Sequence, residues 1–138
     1  MFLIGVPLLI VPFAIYNAVA FFMPGIEWAK PLAPIHIVSG GEWAMSVGDI
    51  LVVFAIVILF FELVKSTRIG MRTIIDHMLS AVLFVAMLVE FLLVKEAATA
   101  TFFILLSICF VDVLAGFTIT IRTAQRNIEL DNADKIAS

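Results

Sequence analysis

The chain has 138 residues, of which 64% are hydrophobic and 14% charged, with a mean hydropathy of +1.22 and a formal net charge of -3. Soluble domains carry about 25% charged residues, and nucleic-acid binders cluster their Lys and Arg on one face, so both classes are excluded. Apolar stretches take up nearly the whole length, so residues 1-138 read as one integral membrane domain with no room for a separate catalytic or ligand-binding unit.

Crossing the hydrocarbon core takes about 20 predominantly apolar residues, and four stretches approach that length. The first runs from about Ile4 to Phe22. Pro7 and Pro12 within it predict a kink or a late start, because proline removes a helical N-H and clashes with the preceding turn. Ala18-Val19-Ala20 has the small-x-small form of a signal-peptidase site, yet no Lys or Arg precedes the apolar run, so the stretch reads as a retained span. Asn17 is its polar candidate.

An outer loop follows, residues 23-46, punctuated by Pro24, Pro31, Pro34, Gly25, Gly40 and Gly41. It is expected to be ordered irregular structure. Trp28 and Trp43 are expected to anchor it at the membrane-water interface, where indole rings are enriched. His36 has no companions at ligand spacing, so no metal site or cofactor is expected.

The second, third and fourth spans are predicted at about 47-64, 74-94 and 99-121. Ser46 with Asp49, and Thr73 with Asp76, each have the spacing of a capping box and are read as helix caps. Glu62 is expected to pair with Lys65 at the membrane edge. Gly48, Ala55 and Glu62 share one face of the second span, where small residues permit close packing. On the third span Asp76, Ser80, Leu83, Met87 and Glu90 fall in one arc, a polar-ended face that should turn away from lipid. His77, beside that arc, is read as interfacial.

Asp112 stands in the middle of the fourth span, and the nearest basic residues in sequence are Arg122 and Lys95. An ionised Asp at a helix centre costs about 2.5 to 3.5 kcal/mol on insertion scales. It is therefore expected to be protonated, to bind a cation, or to bond a partner such as Asn17 or Ser107 of a neighbouring copy. Cys109 and Gly116 lie one turn to either side, with Thr101 and Thr123 near the same face. The lone Cys109 offers no intrachain disulfide.

Lys65, Arg68 and Arg72 crowd the loop after the second span, and Arg122, Arg126 and Lys135 follow the last. The positive-inside rule then gives an all-α, up-down-up-down four-helix bundle with both termini cytoplasmic, expected in the plasma (inner) membrane. The polar tail, residues 122-138, is expected to continue the last helix for a turn or two before fraying.

Asn17, Asp49 and Glu90 would then occupy the outer half and Glu62, Asp76 and His77 the inner half, with Asp112 between them. The chain has no metalloprotease, serine-hydrolase, metal-ligand or phosphate-loop motif, so it is not expected to be an enzyme. Two functions fit the residues. One is a structural or accessory subunit, or a self-assembling scaffold, partnered by lipid and by copies of itself or a larger membrane complex. The alternative is a homo-oligomeric proton- or cation-linked transporter or channel using Asp112 and Glu90.

Overall fold

The computed structural model describes residues 6-67 and 71-137, except for the side chains of residues 71, 72 and 123. Ile4 at the predicted start of the first span, Arg68, Ser138, and the side chains of Arg72 and Thr123 therefore lie outside the described residues. Among the described residues four α-helices account for most of the chain: α1 (Ile10–Phe22), α2 (Val47–Ser66), α3 (Met71–Leu93) and α4 (Ala100–Ala137). A two-stranded hairpin, β1 (Ile35–His36) and β2 (Glu42–Trp43), sits between α1 and α2, and a single 3-10 turn (Lys95–Ala97) joins α3 to α4. Helices α2, α3 and α4 are long and apolar enough to cross a membrane.

Helix α1 is shorter than the predicted first span. Its 13 residues rise about 20 Å against a hydrocarbon core of about 30 Å. The reason is Pro12, which has no N-H for the Leu8 carbonyl and can only be accommodated in the opening turn of a helix. The helix accordingly begins at Ile10, with Ile10 donating to the Pro7 carbonyl (3.2 Å) and Val11 to that of Leu8 (3.0 Å). Its buried side is Pro12, Tyr16 and Ala20, an i,i+4 stripe that extends back to Leu9.

Helix α2 starts where a capping box places it. The Ser46 hydroxyl accepts from the Asp49 N-H (3.1 Å) and the Asp49 carboxylate accepts from the Ser46 N-H (3.0 Å), satisfying two of the open donors at the helix start. The same reading does not hold for α3. That helix is already formed at Met71, so Thr73 and Asp76 lie within it, and both are buried.

Helix α4 runs through 38 residues, about 57 Å, well beyond the predicted end at Ile121. The polar tail thus continues as helix to Ala137 instead of fraying after one or two turns, and its described side chains from Ala124 onward are exposed.

Helix α4 packs chiefly on α2 and α3, while α1 lies against α2, α4 and the 3-10 turn. Two glycines set the closest approaches. A Cβ at Gly48 would strike the Thr101 hydroxyl and come within 2.9 Å of the Trp28 carbonyl oxygen, so α2 meets α4 and the loop backbone there. A Cβ at Gly116 would lie 2.5 Å from Nδ1 of His77, so α4 meets α3 there. Between these points the core is apolar, built from Leu51, Ala55, Leu83, Met87, Phe102, Leu105 and Cys109.

Candidate functional site

Along the helix axes two groups of interacting polar side chains are separated by an apolar layer. The larger group lies where α2, α3 and α4 meet near the Gly116 approach.

Glu62 and Lys65 come from the last turns of α2, Asp76, His77 and Ser80 from the first turns of α3, and Asp112 from the middle of α4. All but Lys65 are buried: Glu62, Asp76 and Asp112 are each 3% exposed, while the half-buried Lys65 side chain is 13% exposed. The Lys65 ammonium lies 3.2 Å from Oδ2 of Asp76 and 3.5 Å from Oε1 of Glu62. It also donates to the Val6 carbonyl at 2.9 Å. Glu62 in turn accepts from the Leu8 N-H.

Asp112 faces the Ser80 hydroxyl, which donates to the Asp76 carbonyl at 3.0 Å, and both Asp76 and Lys65 act electrostatically on its carboxyl. Asp112 is therefore not isolated. The sequence places Lys65 at a membrane edge, where a long cationic side chain would reach for water. In the fold it turns inward, because two buried carboxylates and a free backbone carbonyl offer more than one replacement for its hydration. Within the chain Asn17 bonds Glu90 and Ser107 bonds the Phe103 carbonyl at 2.9 Å.

Two expected roles change here. Asp76, read as a cap, is an ion-pair partner tying α3 to α2. His77, read as interfacial, is 5% exposed, with its ring held over Gly116 and near Phe117 (centroids 6.3 Å apart). Its Nε2 and the Oδ1 of Asp76 have no hydrogen-bond partner among the described residues.

The smaller group is at the other end of the apolar layer. Asn17 donates from Nδ2 to Oε2 of Glu90 at 3.3 Å and to the Phe13 carbonyl at 3.1 Å, both residues being half-buried. Glu90 is thus joined to α1 and not to Asp112. It stands ten residues beyond Ser80 on α3, about 15 Å along the helix axis. The buried side chains between them on that face are Leu83 and Met87. A cavity of about 10 Å³ within the layer, lined by Leu9, Phe13, Ala55, Met87, Leu105 and Cys109 among others, has room for one water at most and no polar side chain to hold it.

Next to the smaller group is a knot that sequence reasoning passes over. Tyr16 is fully buried, stacks on Trp28 (4.4 Å, 11°) and meets Phe102 edge-on (5.0 Å). Its hydroxyl donates to the Glu96 carbonyl at 2.8 Å and bonds the Thr99 hydroxyl at 2.7 Å. Trp28 is consequently 7% exposed and packed inside the protein, which corrects its reading as an interfacial anchor, whereas Trp43 is 49% exposed. The available signal for the knot is that the only Tyr of the chain falls between Pro12 and Ala20 at i,i+4 spacing, on the one face α1 can bury.

No group of three or more His, Cys, Asp or Glu side chains among the described residues is arranged to hold a metal ion. Compared with protein families, characterised proteins and solved structures, the chain matches none.

Proposed function

We propose that the chain is a multi-pass membrane protein acting as a packing subunit, either self-assembling or docked in a larger membrane complex, and that its intramembrane charges lock its own helices together. The observation that carries this reading is how those charges are used. Lys65 and Glu62 bind the backbone of the non-helical segment before α1, through the Val6 carbonyl and the Leu8 N-H. Irregular backbone at membrane depth is tolerated only where protein satisfies its polar groups, since an unmet N-H or C=O costs several kcal/mol in hydrocarbon. The 13-residue α1 needs that segment to complete a fourth crossing. Asp76 then joins α3 to the same Lys65, and Asp112 on α4 faces Ser80 beside them.

In this reading the helices run up-down-up-down in the plasma membrane, with Lys65, Arg68, Arg72 and the α4 extension on the cytoplasmic side. The apolar layer supports a packing role over a conducting one. Proton movement needs a chain of hydrogen-bonding groups, and Leu83, Met87, Leu105 and Cys109 interpose between Asp112 and Glu90.

A second reading, proton- or cation-linked transport, draws support from the buried Asp76 Oδ1 and His77 Nε2, which sit in the charged group without partners among the described residues. One pair of variants separates the two. In the packing role Asp112→Asn keeps the hydrogen-bonding capacity and retains native assembly in mild detergent, while Asp112→Leu weakens it. In the transport role Asp112→Asn abolishes proton-coupled flux in liposomes with assembly intact. Full native assembly of Asp112→Leu counts against the packing role.

A further inference from the structure

The hairpin between α1 and α2 has two chemically different faces. Its register pairs Ile35 with Trp43 and His36 with Glu42, and Ile37 continues the ladder by donating to the Gly41 carbonyl at 2.9 Å. Alternation across a strand then puts Ile35, Ile37 and Trp43 on one face and His36 with Glu42 on the other. The polar pair closes on itself, Nδ1 of His36 lying 3.7 Å from Oε1 of Glu42. The apolar face is open: Ile35 is 59% exposed, Ile37 46% and Trp43 49%.

The turn extends that face. Gly40 donates to the Ile37 carbonyl at 2.9 Å and has a φ of +90°, so a tight turn over Val38 and Ser39 is followed by a left-handed glycine. Polar or glycine residues are the usual choice at such a tip, yet Val38 occupies it and is fully exposed.

We propose that this hairpin lies on the bilayer, with Ile35, Ile37, Val38 and Trp43 dipped into the headgroup-acyl boundary of the leaflet on the α1-end, α2-start side. Three observations commit it to lipid over a protein partner. The hairpin is tethered at both ends to apolar helix termini, Phe22 being 86% exposed at the end of α1 and α2 starting four residues after Trp43. The first turns of α2, which follow it, are themselves open and apolar, Ile50, Val53 and Phe54 being 49%, 51% and 38% exposed. Its one aromatic residue is Trp, whose ring and N-H suit the boundary between hydrocarbon and water. This inference rests on the membrane reading of the chain but not on the packing role of Asp112.

The test uses Trp fluorescence of the full chain reconstituted in phosphatidylcholine vesicles brominated either high on the acyl chain or near its end. Trp43 is isolated in a Trp28→Phe variant, and independently as the difference between the unaltered chain and Trp43→Phe, should Trp28→Phe fold poorly. Lipid seating predicts blue-shifted Trp43 emission, quenched about twofold or more by shallow bromine and less by deep bromine, as for interfacial indoles. It also predicts that Val38→Asp weakens that quenching while the chain still floats with the vesicles. Red-shifted, unquenched emission would place the face in water and overturn the proposal. Blue-shifted but unquenched emission would mean that a second copy or another protein covers it, and would overturn it equally. Failure of the unaltered chain to float with vesicles would sink the membrane reading as well.

Discussion

Lys65 joins three parts of the chain through one ammonium: the segment before α1 by the Val6 carbonyl, its own helix by Glu62, and α3 by Asp76. Removing it leaves two buried carboxylates and a carbonyl without their cation. Breaking a buried pair from one side costs about 3 to 5 kcal/mol, more than the pair itself contributes, because the remaining charge keeps its desolvation penalty. Lys65→Met is therefore expected to lower unfolding stability in detergent by about that much. The triple variant Lys65→Met, Glu62→Gln, Asp76→Asn should recover at least half of the loss, since neutral partners carry no such penalty. A triple variant no more stable than Lys65→Met alone would show that the loss comes from the unmet Val6 carbonyl and not from the stranded carboxylates. This residue also marks where the sequence stops being informative. Its spacing to Glu62 is legible as an i,i+3 pair, but whether such a pair faces water or the core depends on the partners that α3 and the segment before α1 bring to it, and those are non-local. Asp112 is conspicuous for the same reason that its surroundings are not: cost is a property of one position, whereas relief comes from two others, Ser80 on α3 and Lys65 on α2.

Helices α2, α3 and α4, each long and apolar enough to cross a membrane, are legible because twenty apolar residues have few other homes, and the start of α2 because Ser46 and Asp49 cap it locally. The start of α3 misleads, since Thr73-x-x-Asp76 has the same spacing as a capping box but lies inside a helix already formed at Met71. Spacing alone does not separate a cap from two polar residues on one buried face. The glycines at the helix contacts make an element-level prediction. The nearest atoms to a methyl at Gly116 all belong to the His77 ring, with Nδ1 at 2.5 Å and Cε1 at 2.7 Å. A methyl at Gly48 meets the Thr101 side chain and also the Trp28 backbone carbonyl at 2.9 Å. Each Gly→Ala change is expected to cost about 1 to 3 kcal/mol by overpacking. Their rescue should differ: His77→Ala relieves Gly116→Ala almost fully, while Thr101→Ala relieves Gly48→Ala only in part because the carbonyl stays. Double-variant cycles read from denaturant midpoints check this, and simple additivity at the Gly116-His77 pair would refute the contact.

On the scale of the whole molecule, the Lys65 group and the Tyr16-Trp28-Phe102 knot stand at opposite ends of one apolar layer, and α4 passes through both. The two ends hold the layer in register: the knot ties α1 to the loop and to the start of α4, and the charged group ties α2 to α3 and to the middle of α4. What α4 contributes to this arrangement lies between Thr101 and Thr120. Beyond Arg122 the same helix continues with exposed side chains, including Ile128, Leu130 and Ile136 at 61%, 58% and 87% exposure. An ion pair there, Lys135 with Asp131 at 3.8 Å, is exposed and lies within the tail. Exposed i,i+4 pairs contribute about 0.3 to 0.5 kcal/mol to the helix that holds them and nothing to a distant core. Ending the chain after Arg126 is therefore expected to leave the denaturant midpoint of the membrane part within about 0.5 kcal/mol of the full chain, the usual range for changes away from the core. If the exposed face of the tail is instead where copies of the chain meet, the same truncation lowers the oligomeric mass in mild detergent while the midpoint stays put. A truncation that lowers the midpoint by more than about 1 kcal/mol would show that the last twelve residues brace the bundle, and would contradict the division of α4 into a packed half and an exposed one.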